Sequence, residues 1–175
     1  THHHPDHVGA VSHYATACDA TVWARTGREG DFVAATGVEP DRTFHEGTTI
    51  PTDEGPVTVV ETPGHAPEHV AFAAEDWMVS GDVAVAEGSV VVGAPEGDVR
   101  AYLTSLRRLH ARGPARLYPG HGPTIEDPRA TCERLVRHRL RRERKVRAAV
   151  EGAPADLEPA PATAEEGDPS GGGSL

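Results

Sequence analysis

Seven residues, Thr1-His2-His3-His4-Pro5-Asp6-His7, constrain this chain more than any other stretch. Read as H-x-H-x-D-H, they offer three imidazoles and one carboxylate within six positions. Few tasks other than holding a metal need that density of nitrogen and oxygen donors. His2, His4 and Asp6 alternate, so an extended backbone turns all three to one side. His7 joins them only if the backbone turns. A helix start at Pro5 would do this, since Pro at the first helical position loses no needed hydrogen bond and Asp6 suits the positive end of the helix.

A fold that uses this stretch must bring further donors to it, and three later corners supply them. T-P-G-H ends at His65, S-G-D ends at Asp82, and Y-P-G-H-G-P surrounds His121. Each donor stands beside Gly or Pro, where backbone can approach closely and a side chain can be fixed. The sum is five imidazoles and two carboxylates: His2, His4, His7, His65, His121, Asp6 and Asp82. Seven side chains exceed the needs of one tetrahedral zinc and suit two ions ~3.5–4 Å apart. A tag remnant would explain His2-His3-His4, but not the continuation into Pro5-Asp6-His7 or the three distant corners. His3 takes the variable position and is expected to be exposed. Gly64, Gly81, Gly120 and Gly122 read as backbone requirements, and Thr62 as a residue that fixes its corner.

Hydrophobic periodicity places these corners between short strands and helices. A helix is expected over 8–18, with Val8, Val11 and Tyr14 or Ala15 inward, then a strand over 21–24. Residues 26–47 read as connection with one strand turn. Strands follow over 48–50, 57–61, 70–74, 77–80 and 89–92. Val99, Tyr102, Leu103, Leu106 and Leu109 recur at helical spacing, predicting an amphipathic helix over 98–112. A last strand covers 115–118. Asp127 as N-cap and Pro128 at the first position open a long helix to about Val150. Strands alternating with helices, and donors at the strand-to-loop corners, indicate a layered α/β domain over 1–150. Residues 151–175, rich in Pro, Ala, Glu and Gly, are expected to form a disordered tail.

The chain of 175 residues is long enough for a core. Its formal net charge of −10 argues against a nucleic-acid-binding surface overall. Cys18 and Cys132 form no framework and read as small buried residues. No apolar run has membrane-spanning length, so no membrane partner is expected and the default location is cytoplasmic.

The four motifs T-H-H-H-P-D-H, T-P-G-H, S-G-D and Y-P-G-H-G-P, in this order, resemble those of the metallo-β-lactamase superfamily of metal-dependent hydrolases. The resemblance runs from Thr1 to about Val150. It implies an αββα sandwich. It also implies that His2, His4 and His65 bind one metal, that Asp6, His7 and His121 bind the other, and that Asp82 bridges them. The implied cofactor is two Zn²⁺, with other divalent metals such as Fe or Mn as alternatives; His4, where the diiron oxygen-reducing branch usually carries Glu, favours zinc. The implied activity is hydrolysis by a metal-bridging hydroxide, with Asp6 and Asp82 as catalytic carboxylates. His69 is placed with them, in a supporting or substrate-contacting position. Relatives normally place several strands ahead of the first motif. The sandwich is therefore expected to be N-terminally incomplete, with a sheet edge that leaves room for an oligomer.

The 127–150 helix is strongly basic in an acidic protein. Its His138-Arg139 and Arg142-Glu143 resemble the H-R-x-x-R-E signature of lactamase-like endoribonucleases, and His138, Arg139 and Arg142 are candidate substrate-binding residues on that ground. Their winged-helix-like module does not follow here, and the arginines could equally pair with acidic surface. A phosphodiester substrate such as RNA leads. Two alternatives stand beside it: a thioester or other small molecule, as in the glyoxalase II branch, and a non-catalytic module that keeps metal for stability.

Overall fold

The computed structural model describes residues 1–152. The expected disorder of the tail therefore lies, from residue 153 on, outside the described residues. The elements in chain order are α1 (Pro5–Val8), α2 (Val11–Ala17), β1 (Trp23–Arg25), α3 (Glu29–Thr36), β2 (Arg42–Phe44), β3 (Thr49–Ile50), β4 (Val57–Glu61), β5 (Val70–Ala73), β6 (Trp77–Gly81), α4 (Val99–Arg112), β7 (Arg116–Pro119) and α5 (Pro128–Val150).

Five strands form one sheet in the order β3-β4-β5-β6-β7. Its first three pairings are antiparallel, and β6 pairs parallel with β7 after the α4 crossover. β1 and β2 form a separate parallel pair. Strand alternation divides the side chains of β4 and β5 between two cores. Val60, Ala71 and Ala73 face Tyr102, Leu106 and Leu109 of α4, and Cys132 and Leu135 of α5. Val59, Val70 and Phe72 face the other way, onto Phe44 and Trp23 of the two-stranded pair. Helices thus cover one face of the main sheet and a second sheet covers the other, with α3 packed on β1. This is the layered α/β order that the sequence predicts.

The two helices start where the sequence says they should. The Asp98 carboxylate accepts from the backbone N–H of Arg100 at 2.8 Å and of Ala101 at 2.9 Å, and that of Asp127 accepts from Ala130 N–H at 3.0 Å. Asp98→Ala should cost about 1 kcal/mol through the lost cap, lowering the melting temperature by roughly 2–4 °C. A thermal melt unchanged within error would show that the cap adds nothing.

Four local expectations are corrected. The 8–18 helix is two helices broken at Gly9-Ala10; of its expected inward face only Val8 is buried, and Tyr14 is exposed. The 26–47 connection contains α3, which no periodic apolar pattern announces and which has no buried residue. The 89–92 strand is irregular chain: Arg139 of α5 donates to its Val90 carbonyl and His65 to its Val91 carbonyl, in place of a ladder. Cys18 is exposed, while Cys132 is buried and its thiol is pushed up to about 11 by desolvation.

Candidate metal centre

Each expected donor stands at the end of an element. Thr1–His4 run extended beside β5, where the Val70 N–H donates to the Thr1 carbonyl at 2.8 Å. The backbone then turns into α1 at Pro5, and this turn swings His7 round to the same side as His2. His65 follows the corner after β4, Asp82 follows β6, and His121 follows β7.

The seven residues converge. His2 Nε2 lies 3.0 Å from His4 Nδ1, which lies 3.1 Å from His65 Nε2. His7 Nε2 and His121 Nε2 are 3.2 Å apart, and Asp6 Oδ2 is 3.1 Å from His121 Nε2. Asp82 Oδ2 stands between these groups, 3.3 Å from His7, 3.5 Å from His121 and 3.6 Å from His65. Among the described residues, three sets have donor atoms all within 4.8 Å of one another: His2, His4 and His65; His2, His7 and Asp82; and Asp6, His7 and His121.

The donor chemistry fits a cation. The Val91 carbonyl can only accept, so the Nδ1–H of His65 donates to it, at 2.8 Å, and Nε2 keeps its lone pair. Burial, with His69, His7, His4 and His65 nearby, depresses the pKa of His2 and keeps its ring neutral. His65 Nε2 and the inward nitrogens of His2 and His4 thus crowd at hydrogen-bond distance, as donor atoms gathered for a cation would. Asp82 Oδ1 is buried with no hydrogen-bond partner, which costs free energy in a protein interior unless an ion compensates it. Gly120 has no Cβ that would overlap that oxygen.

His69 is corrected. It is buried, and both ring nitrogens are taken: the Asp82 backbone N–H donates to Nε2 at 2.9 Å, and Nδ1 pairs with the Thr62 hydroxyl at 2.8 Å. Desolvation holds its pKa well below the usual imidazole value. It can hold the Asp82 backbone in place but cannot touch a substrate. Thr62, fully buried beneath it, fixes the corner as expected.

Among the substrate candidates, Arg139 is corrected. The Arg139 guanidinium is spent inside the molecule: it donates to the Val90 carbonyl and lies 5.4 Å from the centre of the Tyr102 ring. His138 is partly buried, with Nδ1 enclosed and unpaired. Arg142 borders a separate groove between α4 and α5. Arg139 borders the same groove, with its guanidinium committed to the Val90 carbonyl.

Sequence reasoning missed Glu68, Glu96 and the place of His3. Glu68 is buried and accepts from the His3 backbone N–H at 3.2 Å, with the His3 ring also 3.2 Å away, so His3 is held rather than merely exposed. Its position one residue before His69 in P-E-H was a usable signal. Glu96 reaches His4 from a distant loop with no such cue.

The family model described as the metallo-beta-lactamase superfamily matches residues 1–121. The beta-lactamase-like protein 2 homolog of Drosophila melanogaster is 33% identical over 153 residues, covering 83% of this chain and 51% of that protein. The atrochrysone carboxyl ACP thioesterase of Aspergillus fumigatus is 29% identical over 151 residues, covering 83% of this chain and 44% of that protein. The crystal structure of a beta-lactamase domain protein from Burkholderia ambifaria matches with a TM-score of 0.72 at 26% identity, over 85% of this chain and 56% of that one. The chain spans about half the length of the curated relatives it matches. Among the described residues no helix is long and apolar enough to cross a membrane.

Proposed function

The chain belongs to the metallo-beta-lactamase superfamily, and from that premise we propose that it houses the centre of a metal-dependent hydrolase acting on acyl thioesters. One observation carries the reading: seven donors from four separate corners converge, with Asp82 turning Oδ2 to the rings of His7, His65 and His121 while its Oδ1 is buried and unpartnered. His2, His4 and His65 would hold one ion, and Asp6, His7 and His121 a second. Asp82, within 3.6 Å of rings from both sets, would lie between them. The donor set suits zinc, with iron or manganese as the other candidates. Such ions supply Lewis acidity and a water acidified towards neutral pH.

The protein's own groups do the rest. Asp6 and His121 are the outermost donors, with more than half of each side chain exposed, so substrate would enter from their side. The Asp6 carboxylate can take the proton of the attacking water and return it to the departing sulfur, giving acid and thiol. His69 and Thr62 hold the backbone of Asp82 and keep that carboxylate aimed inward.

The thioester reading draws on the thioesterase names of relatives at 29–33% identity and on the internal use of Arg139. A phosphodiester or RNA substrate is the second reading, favoured by the exposed basic face of α5 with Arg137, Arg141 and Arg144. Metal-loaded chain should be offered an S-acyl cysteamine thioester and an activated phosphodiester. Faster thioester turnover is expected; turnover of the phosphodiester alone would overturn the assignment. Full metal loading with neither turned over would favour a metal-stabilised binding module.

A further inference from the structure

The irregular chain between β6 and α4 touches the centre twice. The Val91 carbonyl accepts from His65 Nδ1, and a carboxylate oxygen of Glu96 lies 2.9 Å from His4 Nε2. A carboxylate only accepts, so His4 carries its hydrogen on Nε2 and presents Nδ1 inward, to the rings of His2 and His65. His4 thus faces the centre through the opposite nitrogen from His65, and the loop supplies the partner that each tautomer needs.

This loop has little regular structure of its own, and α5 holds it. Arg134 donates to the carbonyls of Val85 at 2.7 Å, Ala86 at 2.9 Å and Gly88 at 2.6 Å, while Arg139 donates to that of Val90. Gly97 N–H closes on the Gly93 carbonyl at 2.7 Å, and Asp98 N–H on that of Gly64 at 2.9 Å, the residue before His65. Two arginines of the basic helix therefore pin the segment that orients two of the ligand rings.

We propose that Glu96 is a positioning residue of the metal centre: through the hydrogen bond to Nε2 it fixes the tautomer and the ring orientation of His4. The proposal rests on the metal-centre reading above. Outer partners of this kind tune affinity by about 10–100-fold. Glu96 is half exposed and lies outside both cores, so its removal should leave the metal-free fold alone.

The test is a titration of the metal-free full chain with Co²⁺, followed by absorption and by competition with a chelator, for the wild type, Glu96→Ala and Glu96→Gln. Glu96→Ala should weaken one of the two binding steps by about 10–100-fold, with the melting temperature of the metal-free protein unchanged. Glu96→Gln should recover most of the affinity, because its amide oxygen still accepts from Nε2–H. Equal affinity of wild type and Glu96→Ala would overturn the proposal and leave the metal centre standing. A Gln variant as weak as the Ala variant would overturn the hydrogen-bond account in favour of charge alone. A wild-type chain that takes up no Co²⁺ would overturn the centre and the proposal with it.

Discussion

Asp82→Ala is expected to abolish metal-dependent turnover while the metal-free protein stays folded. Among the described residues, Asp82 Oδ2 is the one carboxylate oxygen within 3.6 Å of rings from both ligand triads. Its loss should exceed the ~10–100-fold that removal of an outer partner causes. Stability moves differently. In the metal-free chain Asp82 presents a buried carboxylate with one oxygen unpartnered, which opposes folding. Deleting it removes that cost, so the metal-free melting temperature should hold or rise. Metal changes the comparison: an ion at 1,000 times its dissociation constant stabilises the native state by about 4 kcal/mol. Wild type should therefore gain ~8–16 °C on metal addition at the sensitivity usual for this size, and Asp82→Ala should lose most of the gain. The paired melts and activity assays decide it. Undiminished turnover in the variant would remove Asp82 from the centre.

The candidate site was far more legible in the sequence than the support around it. His2, His4, Asp6, His7, His65, Asp82 and His121 announce themselves because donors of one chemical type cluster beside Gly and Pro, and each of the four corners lies where a strand or a helix begins or ends. The amphipathic helix α4 was equally clear: five apolar residues at helical spacing and an Asp cap leave little choice. The site's supports were not visible because they arise from contacts distant in sequence. Nothing local says that Arg139, within a run of exposed basic residues, would turn inward to the Val90 carbonyl 49 positions earlier. The same event bears on the misread strand at 89–92: its apolar composition matches a strand, but its Val90 carbonyl answers to α5 and its Val91 carbonyl to His65. Helix α3 was missed for the opposite reason: with none of its residues buried, it leaves no periodic trace. The spacing of His69 from His65 does not choose between a supporting and a substrate-contacting position. Only its burial between Thr62 and the Asp82 backbone marks it as a support.

Gly64→Ala is expected to cost more stability than any other single methyl added to these corners. Gly64 has φ +134°, a conformation that residues with a Cβ rarely adopt, and a Cβ there would overlap the backbone nitrogen and Cα of Tyr102. Those atoms cannot rotate away. Tyr102 is fully buried in the first half of α4, and the corner is tied to that helix on both sides of Gly64: the Ser105 hydroxyl donates to the Pro63 carbonyl at 2.7 Å, and Asp98 N–H donates to Gly64 itself at 2.9 Å. Either the helix shifts or the corner does. Backbone strain of about 1–3 kcal/mol adds to overpacking of about 1–3 kcal/mol, which is roughly 4–24 °C in melting temperature. The control is Gly122→Ala in the last donor corner. Gly122 also has positive φ, +80°, but open space where its Cβ would go, so strain alone should act and the loss should be clearly smaller. The corner that Gly64 shapes also carries His65, so metal affinity should fall with stability in Gly64→Ala. Equal melting temperatures for the two variants would mean that the close approach of the corner to α4 contributes nothing to holding His65 at the centre.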